Sequence, residues 1–372
     1  MNKEAGEKRD FMPGFISEIA QLGEVLVEEG YGQGLGIPIE EYVKAGAKVA
    51  PRAEVFSCRY VIVVRCPEDE ELKLLKPNST LVSMIHRPTH PSRVRQLSGQ
   101  KVHSIAMDAL VDDNGNRLIE TNELCAWGGM DVACGLLFDQ ETIDVYCRDK
   151  AKRPFKIVIL GTGRIGRHAV NAAVHGGNMD RYAKMLDGSL PAVTVEVLGR
   201  SLSGDHEYLR TTFQDTDMLV DATARTDVHT PIIPNSLLKE LPSWAVILDL
   251  SADAYDAHTI PPIVKAIEGI PTGNLDKYIF KKDDPAYADI PKFVDTTNRR
   301  TVVSCYSWPG LQPGKCMEIY GKQLLPLIRT LIKKHLAALS GSGNQYERIL
   351  FNASDGFISN RGTTPPTSPR KG

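Results

Sequence analysis

The feature that most constrains the fold is an apolar run that leads into three spaced glycines and then a helical pattern, KIVILGTGRIGRHAVNAAVHGG at 156–177. An unbroken aliphatic run such as 157–160 is typical of a strand buried on both faces of a parallel sheet. Gly161 permits a tight turn, Gly163 lets the backbone approach a pyrophosphate, and Gly166 lets the helix pack against the strand. The sequence therefore predicts a dinucleotide site on this turn, and the alternative is a strand–turn–helix without a ligand. The predicted contacts are Gly161, Thr162, Gly163, Arg164, Ile165 and Gly166.

The end of the next strand indicates which nucleotide binds, because an acid there would hold a ribose 2′-hydroxyl and a basic residue would accept a 2′-phosphate. We place that strand at 192–198. It is followed by Gly199, Arg200 and Ser201, and Glu196 lies inside the strand rather than at its tip. Arg200 and Ser201 favour NADP over NAD, with NAD possible. The alternative is that Arg200 stacks on the adenine or points to water.

Composition is that of an ordinary globular protein, with 42% hydrophobic and 24% charged residues among 372 and a net charge of -2. This charge gives no reason to expect nucleic acid or a membrane surface as a partner. No apolar run approaches the length of a membrane helix, and the start MNKEAGEKRD lacks a signal-peptide core, so we expect a cytoplasmic protein.

The seven cysteines are widely spaced, which predicts reduced thiols and no metal site, with Cys125 and Cys134 buried.

Strand and helix patterns alternate along the chain, so the predicted fold class is α/β, with two Rossmann-like domains and a cleft between them. We predict a first domain over 1–131, which binds substrate, and a dinucleotide-binding domain over 132–306. A return segment at 307–352 would complete the first domain with a helix at 317–338, and 353–372 would be a disordered tail. The apolar helix at 123–138 is expected to cross between the domains.

Several segments carry a family resemblance. GEKRDFMP at 6–13, VLVEEGYGQGLGIPIEEYVKAGAKV at 25–49 and the GTGRIG turn resemble the alanine dehydrogenase and transhydrogenase N-terminal family. RAEVF at 52–56 is similar to N5-(carboxyethyl)ornithine synthase. LVDDNGNR at 110–117, ILDLSAD at 247–253 and SWPGLQPGKCMEIYGKQLLP at 307–326 resemble the lysine-forming saccharopine dehydrogenases. Both relatives join an amino acid to a 2-oxo acid through an imine and reduce it, whereas alanine dehydrogenase uses ammonia.

His86 is the predicted proton carrier. It follows the strand TLVSMI, and an unperturbed imidazole pKa near ~6.5 suits proton exchange. The resemblance implies a catalytic histidine at this place, although a lone histidine is more often structural. Asp253, in DLSAD after the strand at 245–250, matches a family aspartate near the nicotinamide and could orient His86; the alternative is a loop aspartate that caps a turn.

Two arginines are the predicted carboxylate anchors. Arg9, in GEKR, matches the family arginine that binds the substrate carboxylate, and the alternative is a solvated N-terminal charge. Arg65, in VVRCPED, stands where the family usually has a lysine. Because arginine keeps its proton, it can hold a carboxylate or an oxyanion but cannot act as a general base.

These observations predict an NADP-linked oxidoreductase that forms or cleaves an opine-type secondary amine, with amino-acid and 2-oxo-acid substrates and a homo-oligomeric state. The alternatives are an amino-acid dehydrogenase that uses ammonia and an NADP(H)-binding protein without catalysis.

Overall fold

The structure, a computed structural model, describes residues 8–87, 90–139, 142–144, 153–225, 227–251, 255–257 and 259–355. These residues form two compact units. The first combines 8–120 with 313–355, and the second is the described part of 121–312. The fold is α/β with parallel sheets, as predicted from the alternation of strands and helices.

The first unit contains a two-stranded and a three-stranded sheet and seven helices of at least four residues among its described residues. Its elements in chain order are α1 Pro13–Ala20, β1 Val25–Glu28, α2 Ile39–Lys44, β2 Ala47–Ala50, α3 Arg52–Phe56, β3 Tyr60–Arg65, α4 Asp69–Leu72, β4 Thr80–Met84, α5 Pro91–Gly99 and β5 His103–Ala106, followed after the second unit by α11 Pro313–Lys334 and α12 Gln345–Ala353. Strand β1 pairs with β2, and the other sheet has the order β3-β4-β5. All three ladders are parallel.

The second unit is built on one six-stranded sheet. Its elements are α6 Asn122–Leu137, β6 Phe155–Leu160, α7 Arg164–Val174, α8 Met179–Leu186, β7 Val193–Leu198, α9 Arg200–Ser203, α10 His206–Phe213, β8 Met218–Asp221, β9 Val246–Asp249, β10 Ile279–Phe280 and β11 Thr301–Ser304. The sheet order is β10-β11-β9-β8-β6-β7, and only the β10–β11 ladder is antiparallel.

The position of β6 in this sheet decides where a ligand can bind. The chain leaves β6 for β7 on one side and then returns to β8 on the other side of β6. Such a reversal is a topological switch point, and ligands of open α/β sheets bind beyond the carboxyl ends of the strands there. Strand β6 is buried along almost its whole length, as its apolar sequence predicts.

The helix predicted to cross between the domains lies wholly in the second unit. Helix α6 packs against α7 and β9, and Ala126, Met130 and Ala133 are fully buried in the core of that unit. The domain boundary predicted between 131 and 132 therefore falls inside a helix, and the units divide at 120/121 instead. An almost uniformly apolar helix has no polar face to mark where a domain ends.

The return segment also begins later than predicted. Residues 307–312 belong to the second unit, because Trp308 is 1% exposed and its indole Nε1 donates to the Asp249 carbonyl at 2.8 Å. Helix α11 then packs on α1 in the first unit, and α12 packs on α11. Helix α12 continues to Ala353, and Ser354 pairs with Ile105, so the predicted disordered tail does not begin at 353. Its remainder, 356–372, lies outside the described residues.

Within the described part of the chain, no helix has both the length and the apolar character needed to cross a membrane.

Candidate active site

The glycine turn after β6 has the geometry that its three glycines predict. Gly161 has φ +105°, and a Cβ on it would lie 2.5 Å from the Ala222 carbonyl oxygen. A Cβ on Gly166 would lie 2.1 Å from the Gly161 carbonyl oxygen, so the start of α7 packs directly against the turn. At Gly163, the N-cap of α7, no atom lies within 4 Å of where a Cβ would stand. The two tight glycines thus hold the helix against the strand, while the middle one leaves open space for a phosphate.

The other predicted cofactor residues lie beside this turn. Thr162 and Arg164 are exposed, Ile165 packs against the core, and Thr162 Cγ2 is 3.9 Å from where a Cβ on Gly199 would stand. Arg200 and Ser201 are exposed in the first turn of α9, immediately after β7. The turn after β6 and the end of β7 are thus neighbours, as a dinucleotide site at this edge requires, and the residues present fit that group.

Two further strands of this sheet end in the same local structure. Asp221, the last residue of β8, accepts from the Thr223 N–H at 3.0 Å and from its hydroxyl at 2.7 Å. Asp249, the last residue of β9, accepts from the Ser251 N–H at 3.0 Å and from its hydroxyl at 2.9 Å. Asp221 and Asp249 are also register partners. Each aspartate turns the chain away at the carboxyl edge of the sheet.

Asp249 also forms a buried ion pair that the sequence did not reveal. Lys265 Nζ lies 2.6 Å from Asp249 Oδ2, with side chains 2% and 1% exposed, and Ser304 donates to the same oxygen at 2.9 Å. Burial alone would raise the pKa of Asp249, but the Lys265 ammonium and the hydrogen bonds from Ser251 and Ser304 hold that pKa below its ordinary value. The carboxylate is therefore ionised and fixed in position.

In the first unit, two of the predicted catalytic residues, Arg65 and His86, lie at the carboxyl edge of the three-stranded sheet. Arg65 is the last residue of β3 and is the register partner of Met84, the last residue of β4. His86 follows two residues later, and Asp108 follows the end of β5 in the same way. Because parallel strands end at one edge, Arg65, His86 and Asp108 share it.

His86 is held in an unusual backbone conformation by Asp108. Its φ is +53°, in the left-handed region that residues with a side chain rarely adopt. Its N–H donates to Asp108 Oδ1 at 3.1 Å, and its ring Nδ1 lies 3.9 Å from Asp108 Oδ2. Strain of this kind is concentrated at functional sites, so the geometry supports a functional histidine.

The electrostatic environment of His86 favours a neutral imidazole. Partial burial lowers its pKa, the Asp108 carboxylate opposes that shift, and the positive charges of Arg117, Arg93 and Arg65 lower the pKa again. The side chain remains 50% exposed. A neutral, accessible imidazole can accept a proton near pH 7.

Arg9 lies inside the first unit rather than at its surface. The residue is 8% exposed, and its guanidinium Nη1 donates to the Cys316 thiol sulfur, on α11, at 3.3 Å. The alternative of a solvated N-terminal charge is therefore wrong. The role predicted for Arg9, binding of a substrate carboxylate, stays a prediction, and Asp253 lies outside the described residues.

Comparison with known proteins shows what this chain is similar to. Residues 3–122 match the family model of the alanine dehydrogenase/PNT N-terminal domain. The NAD(P) transhydrogenase subunit alpha of Haemophilus influenzae is 24% identical over 87% of this chain and 63% of its own length. An alanine dehydrogenase of Bilophila wadsworthia is 26% identical over 65% of this chain and 66% of its own. The chain thus spans slightly less than two thirds of the length of both relatives.

A third relative is shorter. The N(5)-(carboxyethyl)ornithine synthase of Lactococcus lactis is 24% identical over 77% of this chain and 85% of its own length. Among solved structures, an L-alanine dehydrogenase superposes with a TM-score of 0.70 at 20% identity, covering 95% of this chain and 93% of that one. This structural likeness shows a shared fold.

Proposed function

Since residues 3–122 match the family model of the alanine dehydrogenase/PNT N-terminal domain, we propose that the chain is a nicotinamide-dependent oxidoreductase acting on a carbon–nitrogen bond. Its reaction joins an amino acid to a 2-oxo acid as an opine-type secondary amine. The observation that carries this proposal is the edge shared by Arg65 and His86, where a permanent cation lies beside a proton-exchanging group. A substrate with two carboxylates suits a site of this kind better than alanine does.

The reaction balances with the groups that this proposal names. The amine adds to the ketone carbon of the oxo acid and water leaves, which gives an imine. A reduced nicotinamide cofactor held on the glycine turn at 161–166 would supply the hydride that reduces the imine carbon, and one proton would complete the new secondary amine. The protein has to bind two carboxylates, orient the imine carbon and move protons at nitrogen and at the departing oxygen.

His86 moves the protons. Its neutral form accepts a proton from the attacking amine and returns it to the carbinolamine oxygen, and a second exchange of the same kind moves the remaining N–H proton to that oxygen so that water leaves. Asp108, 3.9 Å from Nδ1, stabilises that imidazolium and holds the ring in place. Because Arg65 keeps its proton, the proton transfers fall on His86 rather than on Arg65.

The arginines hold the carboxylates. Arg65, at the end of β3, binds the carboxylate of the oxo acid, and Arg9 binds that of the amino acid. A guanidinium offers a planar fork that matches a carboxylate through two hydrogen bonds. Arg9 needs little ordering for this role, because it is already buried and held by Cys316.

NADP is the proposed cofactor. Arg200 and Ser201 stand exposed at the point after β7 where a ribose 2′-phosphate would lie, and Glu196 lies within β7 instead of at its end. Gly163 and the start of α7 would receive the pyrophosphate. NAD binding would use the same turn without the contact to Arg200.

A second candidate is an amino-acid dehydrogenase that uses ammonia. It is favoured by the alanine dehydrogenase relative, which is as similar in sequence as the carboxyethylornithine synthase. The same His86 would serve, and one carboxylate anchor would suffice.

The test is NADPH oxidation followed at 340 nm. Pyruvate and 2-oxoglutarate are each combined with ornithine, lysine or ammonium, with NADH run in parallel. Turnover that needs an amino acid and an oxo acid together supports the proposal. Turnover with ammonium supports the second candidate, and NADPH binding without turnover in any combination supports a non-catalytic binder.

A further inference from the structure

Asp249, at the carboxyl end of β9, accepts hydrogen bonds on both of its carboxylate oxygens. Oδ1 accepts from the N–H and the hydroxyl of Ser251, which turns the chain as it leaves β9. Oδ2 accepts from Lys265 Nζ at 2.6 Å and from the Ser304 hydroxyl at 2.9 Å. Ser304 is the last residue of β11, the strand next to β9. One carboxylate thus connects the chain after β9 to the end of a second strand and to a buried lysine.

Stability alone does not explain why a lysine is buried at this point. Lys265 is 1% exposed, and the desolvation of its ammonium and of the Asp249 carboxylate offsets much of their mutual attraction. An apolar pair of similar volume would hold the core of the unit as well or better. A carboxylate with donors on both oxygens offers a fixed orientation instead, because each lone pair is directed at a particular donor.

The ends of β8 and β9 are the side on which the nicotinamide half of a dinucleotide would lie. In the proposed function, the pyrophosphate lies at the turn after β6 and the 2′-phosphate beside Arg200, after β7. A dinucleotide spans the switch point, so its other half extends over β8 and then β9. The turn after β8 adjoins the glycine turn, since a Cβ on Gly161 would lie 3.2 Å from Thr223 Cα. The Leu250 N–H donates to the Asp221 carbonyl at 2.8 Å, which ties the chain after β9 to the end of β8.

We propose that Lys265 is a positioning residue for the nicotinamide half of the cofactor, an inference that rests on the proposed nicotinamide dependence of the chain. Because Lys265 is buried, it acts through Asp249 rather than by touching the cofactor. The orientation of Asp249 sets the course of residues 250 and 251, and therefore the surface that the nicotinamide meets. The adenosine half lies beyond β7, on the other side of β6, and is independent of this network.

The test compares NADPH with 2′-phospho-ADP-ribose, which lacks the nicotinamide, by isothermal titration calorimetry. NADH and ADP-ribose are run in parallel. Ser304→Ala removes one neutral donor to Asp249 and leaves the ion pair in place. We expect it to bind NADPH roughly three- to tenfold more weakly than the wild type, as the loss of one hydrogen bond to a charged group implies, and to bind 2′-phospho-ADP-ribose equally well.

A second variant removes the ion pair without leaving a buried charge. Lys265→Met combined with Asp249→Asn should weaken NADPH binding by roughly tenfold or more and should also spare 2′-phospho-ADP-ribose. The emission of bound NADPH, which reports the surroundings of the nicotinamide ring, should change in both variants. A purely structural role of the network would not separate the two ligands in this way.

Trp244→Phe is the matched control. It removes the indole N–H that donates at 2.8 Å to Asp217, a fully buried carboxylate immediately before β8, at the opposite edge of the same sheet. We expect this variant to bind both ligands as the wild type does. Equal weakening of both ligands in the Ser304 and Lys265 variants, unchanged NADPH binding in them, or a selective loss in Trp244→Phe overturns the proposal.

These measurements are equilibrium titrations and need no turnover. A chain that binds NADPH but joins no amine to an oxo acid would contradict the proposed reaction, while a selective loss of NADPH binding would still support the role of Lys265. A wild-type chain that binds neither NADPH nor NADH overturns both the proposed function and this inference.

Discussion

Asp108 contacts His86 twice, accepting its backbone N–H at 3.1 Å through Oδ1 and lying 3.9 Å from its ring nitrogen Nδ1 through Oδ2. One carboxylate thus holds the left-handed backbone at His86 and also faces its imidazole. Since the side chain of Asp108 is 13% exposed, solvent screens this interaction only in part.

Replacing Asp108 with Asn should move the pH dependence of turnover to lower pH. The Asp108 charge raises the pKa of His86 against the effects of burial and of three arginines, so its removal lowers that pKa further. The midpoint of the pH dependence of kcat/KM should therefore shift to lower pH, whether the neutral or the protonated imidazole is the active form. The pH profile of kcat/KM measures this shift. Asp113→Asn, at an exposed acid paired with Arg348, is the control and should leave the inflection in place.

Two alanine substitutions in the glycine turn should have different effects. Gly166→Ala places a Cβ 2.1 Å from a backbone oxygen and should destabilise the second unit by about 1–3 kcal/mol. Gly163→Ala meets no protein atom within 4 Å, so it should keep the melting temperature but weaken NADPH binding, because the Cβ occupies the approach of the pyrophosphate. Thermal melts and nucleotide titrations separate the two effects. A Gly163→Ala variant that binds NADPH normally would contradict this account of the turn.

Replacing Lys265 with Met should strongly destabilise the second unit. It leaves the carboxylate of Asp249 buried without its cation, and breaking such a pair typically costs about 3–5 kcal/mol. Urea unfolding at pH 7 measures the loss. The double variant with Asp249→Asn is the control and should recover part of it, since no uncompensated charge then remains.

The ion pair of Asp249 and Lys265 also predicts how the loss of stability in Lys265→Met depends on pH. In the wild type the pKa of Asp249 lies below its ordinary 3.8, so its stabilising contribution is present above that value and is lost only as the pH falls through the lower, folded-state pKa. In Lys265→Met, burial is opposed only by the hydrogen bonds from Ser251 and Ser304, so the pKa of Asp249 rises. The stability gap between wild type and variant should therefore narrow as urea titrations move from pH 7 towards pH 4. A gap that stays constant would show that Asp249 is not responsible.

Arg200→Ala should weaken NADPH binding and leave NADH binding unchanged. A charge-assisted contact to the 2′-phosphate contributes about 1.5–3 kcal/mol, which corresponds to roughly 10- to 100-fold in Kd. Fluorescence titration with both nucleotides measures the ratio. Arg210→Ala, at an exposed arginine paired with Glu207 on α10, is the control. Equal losses for the two nucleotides would place Arg200 elsewhere than at the 2′-phosphate.

The sequence predicts the nucleotide turn well because every part of its signal is local. The apolar run, the glycine spacing and the start of α7 lie within a few residues of one another. The pattern D-x-[ST] at Asp221 and Asp249 is an equally local signal of two matching turns.

The partners of the site residues could not be predicted in the same way. Asp108 lies 22 residues after His86 and reaches it only because β4 and β5 pair in parallel. Lys265 lies 16 residues after Asp249, in a segment whose described residues form no named helix or strand, so no periodicity marks it as buried. Strand β10 has two residues, too few to show alternation. Each of these features is fixed by tertiary pairing.

The first unit is assembled from two separate stretches of chain, and this affects how it can fold during synthesis on the ribosome. Helix α1 packs on α11, and Glu120 exchanges backbone hydrogen bonds with the side chain of Gln323, yet about 200 residues of the second unit are translated between them. At ordinary elongation rates that interval lasts roughly 10–40 seconds. The surface of α1 that receives α11 is exposed on the nascent chain throughout this time, while the contiguous second unit can fold as it emerges. The early half of the first unit should therefore stay exposed to aggregation for longer during synthesis than the second unit.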